Sequence, residues 1–345
     1  MNSQLSTLNS QLTTHDSYPV PCTLPRATLL RMKFTAPRVL AFLLLLPLAL
    51  GPAAHAQDWA KARLDASPRH HEYVALHHDV RTLQAFVVYP EVRGKASVVV
   101  MIHEIFGLTD WAKEMADELA AEGFIVVEPD LLSGAGPNGG NSDAFASQDD
   151  RVKAVSALDP AQVLADLDAA ADYGKKLPAA NGKIAVAGFC WGGTKSFAFA
   201  AHRRDLSAAF VFYGSGPDDV TPIVAPVYGF YAGNDARIGA TIPATTAAMK
   251  AAGKFYDPVT YDGAGHGFMR AGEDPTNTNP ANKAARDQAF GRLVKLLREL
   301  PSAKSASAAP APTPHSPLAQ NPTIAAIPGC HKPTLTYNPA SSSSM

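Results

Sequence analysis

The stretch KIAVAGFCWGGTKSF, residues 183–197, decides the reading of this chain. An apolar run leads into small residues around Cys190, and a segment able to start a helix follows at once. A strand turning sharply into a helix around G-x-C-x-G has the shape of a nucleophile elbow, with cysteine standing where serine is commoner. The glycines at 188, 192 and 193 suit such a turn, because the backbone must pass close to its neighbours while the central side chain points into the open. The helix N-terminus that follows favours an anion, and therefore a thiolate. Taken alone, the segment fits a packed structural cysteine equally well, so its partners elsewhere in the chain decide.

Working outward, short apolar runs alternate with helical stretches between about Ser67 and Leu300, the pattern of βα units on a mostly parallel sheet with helices on both faces. Seven strands are expected, at LQAFVVY, ASVVVMIH, GFIVVEPD, KIAVAGF, SAAFVFYG, PVYGFYAG and FYDPVTYD. Most are continuous apolar runs, as strands buried on both faces require. DWAKEMADELAAEG and NKAARDQAFGRLVKLLREL carry apolar stripes at helical spacing. The order nucleophile, acid, base along such a domain is that of an α/β-hydrolase fold. Asn234-Asp235 follows one strand and GAGHGFMR, with His266 between glycines, follows the next. Cys190, Asp235 and His266 are thus the candidate triad, with Asp218 as the second candidate acid.

Acyl transfer also needs donors for a developing oxyanion. Here they are the N–H of Trp191, after the nucleophile, and that of Ile105, in the loop after VVVMIH. Glu104 at the end of that strand needs a partner if buried, and both a structural ion pair and a contact with the thiol are open to it.

With 345 residues, 46% hydrophobic and 18% charged, the chain can bury one sizeable core. A formal net charge of -1 gives no electrostatic footprint for nucleic acid, and a small-molecule substrate is the default. Residues 32–56 read as a signal peptide: Lys33 and Arg38, the apolar stretch Val39 to Leu50, then AHA ending at Ala56. That stretch is shorter than the roughly 20 residues of a membrane span. Export to the periplasm or medium is expected, with residues 1–31 a doubtful upstream extension and the domain occupying 57–300. The Ala-, Pro- and Ser-rich tail 301–345 contains no Asp or Glu and is expected to be disordered. Of Cys22, Cys190 and Cys330, the first precedes the cleavage point, and a bridge between the other two would tie a low-complexity tail to a tight turn. Cys190 is therefore expected to be free. The pairs His70-His71 and His77-His78 are read as surface histidines or an edge segment rather than metal ligands, and GPNGGN as a loop. No metal or cofactor is expected, and a monomer is.

HEIFG, GFCWGG, GND and AGHGFMR, in this order and spacing, resemble the dienelactone hydrolase (carboxymethylenebutenolidase) family from about Tyr73 to Leu300. The resemblance implies a hydrolase of small esters or lactones, with Cys190 as nucleophile, His266 as base and Asp235 as its orienter. It further implies that Glu104 pairs with the resting thiol, that Ile105 and Trp191 donate to the oxyanion, and that Arg270 holds a substrate carboxylate. A second substrate arginine of the family falls in SQDDRVKAVSALDP, where Arg151 and Lys153 are the candidates.

Overall fold

The computed structural model describes residues 57–300. The segments read as upstream extension, signal peptide and tail, and Cys330 with them, lie outside the described residues.

Eight strands form one sheet: β1 (His71–His78), β2 (Arg81–Val88), β3 (Ala96–Ile102), β4 (Ile125–Pro129), β5 (Ala180–Phe189), β6 (Ala208–Phe212), β7 (Val227–Ala232) and β8 (Tyr256–Tyr261). Their order is β1-β2-β4-β3-β5-β6-β7-β8. β1 pairs antiparallel with β2, β2 antiparallel with β4, and every later pair is parallel. The helices are α1 (Asp58–Asp65), α2 (Asp110–Ala121), α3 (Gln148–Ser156), α4 (Pro160–Lys176), α5 (Trp191–His202), α6 (Ala236–Gly239), α7 (Ile242–Ala251), α8 (Phe268–Ala271) and α9 (Pro280–Arg298).

Several helices begin where the sequence supplies a cap. Thr109 accepts from the Ala112 N–H, Asp159 from Ala161 and Gln162, and Asn279 from Ala281, with proline as the first helical residue of α4 and α9. Two cores sandwich the sheet. On one face α1, α2 and α9 bury Leu64, Trp111, Met115, Ala289 and Leu293 against Val99, Met101 and Phe210. On the other, α4, α5 and α7 bury Leu167, Phe197 and Met249 against Val100, Val186 and Val211. Every residue of β3 is buried, which explains why its sequence is apolar but for Ser97.

All seven expected strands are present, and β1 is an eighth. In β1 only Leu76 is buried, so an edge strand rich in His and Glu gives almost no apolar signal. The histidine pairs flank or belong to it, but they are not equivalent. His78 turns inward, its Nε2 2.6 Å from Oδ1 of the buried Asp166, and this one is not a surface histidine. Among the described residues no helix is long and apolar enough to cross a membrane.

The sheet order reverses at β3, which lies between β4 and β5. Loops leaving the carboxyl ends of β3 and β5 diverge there, and these loops carry Glu104 and Cys190.

Candidate active site

Cys190 stands between β5 and α5 with φ 57° and ψ -116°. A non-glycine residue in this region costs of order 1–3 kcal/mol and persists only where its surroundings enforce it. Here its N–H donates to the Phe212 carbonyl at 3.0 Å, and its carbonyl accepts from Thr194 at 3.2 Å. The flanking glycines are steric necessities. A Cβ on Gly188 would lie 2.0 Å from the Gly192 carbonyl oxygen, and one on Gly192 would lie 2.4 Å from the carbonyl oxygens of both Ile102 and His103.

His266 Nε2 is 3.1 Å from Cys190 Sγ, and His266 Nδ1 is 2.5 Å from Asp235 Oδ2. A carboxylate beside Nδ1 accepts a hydrogen bond from the Nδ1–H, which leaves the Nε2 lone pair facing the thiol. Asp235 is itself held, because its Oδ1 accepts the Ile238 N–H from the first turn of α6 at 3.2 Å. The histidine loop is pinned by the Gly265 N–H donating to Asn282 Oδ1 at 2.8 Å. Asp218, the second candidate acid, is exposed and makes no bond to His266 among the described residues.

Of the two readings open for Glu104, the structure has the ion pair. Arg270 Nε donates to Glu104 Oε2 at 2.8 Å, and the Tyr213 hydroxyl lies 3.4 Å from Oε1. The thiol's bonded side-chain partner is His266 instead. A buried carboxylate beside a guanidinium gains more from that charge-assisted bond than from a neutral thiol, which accounts for the difference from the resting pair the resemblance implies. Glu104 still acts on Cys190 through space. Burial first, and then the Glu104 charge, push the thiol above its ordinary pKa, while the N–H groups of Trp191 and Ile105 and the charge of Arg237 pull it down. The two expected oxyanion donors are thus brought together at the sulfur. Burial, the largest single influence, opposes the Arg270 cation, but the charge and hydrogen bond of Glu104, with Tyr213 and Cys190, together hold the guanidinium above its ordinary range.

The segment of the second arginine forms α3. Lys153 is exposed and pairs with Asp150 at 3.5 Å. Arg151 is the more buried, with an Nε that has no partner. Neither is bonded to Cys190, His266 or Arg270 among the described residues. Sequence reasoning missed Arg237, a cation two residues beyond the acid, and Tyr213. The latter is fully buried at φ 39°, with its ring set edge-on against His266 at 5.0 Å. Tyr213-Gly214 follows β6 beside the elbow, and that position was the available signal.

The sequence profile of the Dienelactone hydrolase family matches residues 83–300. The "Putative carboxymethylenebutenolidase" of Methylorubrum extorquens is 33% identical over 200 residues, covering 54% of this chain and 68% of the relative. The carboxymethylenebutenolidase of Pseudomonas putida is 30% identical over 240 residues, covering 66% of this chain and 95% of the relative. Among solved structures, the "Putative Dienelactone Hydrolase" of Klebsiella pneumoniae superposes with a TM-score of 0.58 at 25% identity, covering 67% of this chain and 99% of its own. With the α/β-hydrolase architecture, the profile and these relatives in agreement, the chain belongs to the dienelactone hydrolase family and is a carboxylic ester hydrolase.

Proposed function

We propose that the enzyme cleaves small esters or lactones bearing an anionic group through a Cys190–His266–Asp235 triad and a thioester acyl-enzyme. The observation that carries this reading is the unbroken chain Sγ···Nε2 at 3.1 Å and Nδ1···Oδ2 at 2.5 Å, placed at a strained strand-to-helix turn. In the first half-reaction His266 Nε2 takes the thiol proton as sulfur attacks the carbonyl carbon. The carbonyl oxygen becomes an oxyanion facing the N–H groups of Trp191 and Ile105. The tetrahedral species collapses, the carbon–oxygen ester bond breaks, and His266 returns the proton to the leaving oxygen. In the second half, His266 deprotonates a water that attacks the thioester, and the acid product leaves with the thiol restored. Asp235 keeps the imidazole in one tautomer and stabilises its cation.

Arg270 reaches Glu104 through Nε, and its terminal nitrogens make no bond among the described residues. A guanidinium presenting two free N–H faces suits a substrate carboxylate. Residues 32–56, read as a signal peptide, support an exported enzyme, and the intact mass of protein recovered outside the cytoplasm tests cleavage after Ala56.

The decisive experiment compares Cys190→Ala and His266→Ala with the parent on a dienelactone and on a neutral aryl ester. Each variant should lose about 10³-fold or more in kcat, and the anionic substrate should have the higher kcat/KM in the parent. Parent-level turnover by Cys190→Ala overturns the proposal. Equal kcat/KM for charged and neutral esters removes the anionic-group clause and leaves a general carboxylesterase.

A further inference from the structure

His103 follows β3 and is fully buried. Its Nδ1 lies 2.7 Å from the carbonyl oxygen of Glu104. A carbonyl only accepts, so Nδ1 carries the proton. Nε2 is buried with no partner, and burial holds the ring's pKa below its ordinary value, so the imidazole is neutral. A neutral ring fixed in one tautomer and out of contact with solvent is a poor proton shuttle, but it is a rigid hydrogen-bond donor.

What that donor grips matters. The Glu104 carbonyl and the Ile105 N–H belong to one planar trans peptide unit and point in opposite directions. Holding the oxygen on one side fixes where the hydrogen points on the other. The Gly107 N–H donates to the same oxygen at 3.2 Å, so the carbonyl is gripped twice. The other face of the imidazole problem is the second donor: the His103 ring stacks on the Trp191 indole, with centroids 5.8 Å apart and planes within 10°. The glycine at 192 permits this approach, since any Cβ there would strike the carbonyl oxygens of Ile102 and His103 at 2.4 Å.

We propose that His103 is a positioning residue of the oxyanion site. Its Nδ1–H holds the Glu104–Ile105 peptide with the Ile105 N–H turned toward the reacting carbonyl oxygen, and its ring braces Trp191, which supplies the other N–H. It touches neither substrate nor sulfur and acts through these two backbone groups. A hydrogen bond to the far side of an amide also polarises it, strengthening the N–H as a donor. The inference rests on the reading of Cys190 as nucleophile given above.

Two variants separate the donor from the ring. His103→Phe keeps a ring against Trp191 and removes the donor, while His103→Asn places an amide nitrogen where Nδ1 was. Three readouts are compared with the parent: kcat on an aryl ester, affinity for a trifluoromethyl ketone that adds to the thiol to form an oxyanion, and the rate of Cys190 alkylation by iodoacetamide, which forms none. Loss of a whole oxyanion donor costs about 10²–10³ in kcat, so misdirecting one should cost about 10–100-fold. His103→Phe should show that loss in kcat and in ketone affinity together, with alkylation within about threefold of the parent, and His103→Asn should recover most of both. Parent-like kcat and ketone affinity in His103→Phe overturns the proposal, as does a fall in alkylation that matches the fall in kcat. If His103→Phe does not fold, His103→Asn decides alone: turnover within about tenfold of the parent supports the donor role and a greater loss refutes it. Full turnover by Cys190→Ala in the same series is a separate result, which removes the nucleophile itself and the positioning role with it.

Discussion

Replacing Glu104 by glutamine should make Cys190 more reactive. Glu104 is 3% exposed and raises the thiol's pKa, second only to burial itself. Two unit charges about 4–5 Å apart at an effective dielectric of ~20 interact by about 3–4 kcal/mol, which bounds the effect from above. Glutamine removes this repulsion and leaves the Arg270 cation, now held at 2.8 Å from the carboxylate, facing the sulfur without its counter-charge. Arg270 is partly exposed and can swing toward water, so about 2 kcal/mol of thiolate stabilisation is a reasonable net figure. That multiplies the thiolate fraction below its midpoint by roughly 30. A thiolate of lower basicity is also a weaker nucleophile, with a Brønsted slope of about 0.5, so alkylation should rise about fivefold. The assay is the rate of iodoacetamide modification at Cys190 near neutral pH, followed by intact mass, with a pH series to locate the midpoint. The midpoint should move down, because the change favours the charged form. Peroxide inactivation should accelerate in parallel, since oxidation also follows thiolate character. An alkylation rate equal to or below the parent's, with the fold intact, would refute the account of Glu104 as the charge that keeps the thiol protonated.

Gly192→Ala should be destabilising by about 2–4 kcal/mol, because its Cβ meets two backbone oxygens that have no side-chain freedom to withdraw. For a domain of this size that is a fall of roughly 10 °C in Tm, and calorimetry showing an unchanged Tm would contradict the packing described. Glu114→Gln should flatten the dependence of stability on pH. Burial, then Glu273 and Glu118, push the Glu114 carboxyl up to about 9, against the neighbouring Arg63. Burial, then the Glu273 charge, raise the Glu118 carboxyl to about 7 against the pull of Arg286 and Arg63. A raised folded pKa means that the folded state keeps a proton the unfolded chain has already lost, so stability falls as pH rises from the ordinary carboxyl range toward about 9. The variant should lose less Tm than the parent between mildly acidic and mildly alkaline buffer, and parallel curves would exclude Glu114 as the source.

The elements that sequence reasoning placed best are those whose signal is local. β3, β6 and the second half of β5 are largely apolar because both faces are covered there, and their ends fall within a few residues of expectation. β1 escaped because an edge strand with one buried residue has no apolar alternation to detect. The histidine pairs are read as surface histidines or an edge segment, and β1 is that edge, but the inward turn of His78 was not legible because nothing near it in sequence announces Asp166, 88 positions away. The candidate triad was legible from chain order and from its place after successive strands. The partner of Glu104 was not, because Arg270 lies 166 residues further on and the choice between guanidinium and thiol depends on which is nearer in space.

The sequence by itself determined that a cysteine would stand at a strand-to-helix turn, since only glycines tolerate the contacts on either side of it. It also determined that an aspartate and a histidine would follow later strands in hydrolase order, and that apolar runs would stack into a parallel sheet. Tertiary structure alone decided the electrostatics of the site. The thiol faces His266, Glu104 is committed to Arg270, Arg237 adds its charge to the sulfur, and His103 bonds the Glu104 carbonyl while stacking on Trp191. Period and composition report which face of an element is buried. Charge pairing and hydrogen-bond direction depend on distances of a few ångström between residues far apart in the chain, and those distances exist only once the sheet has brought the loops at its carboxyl edge together.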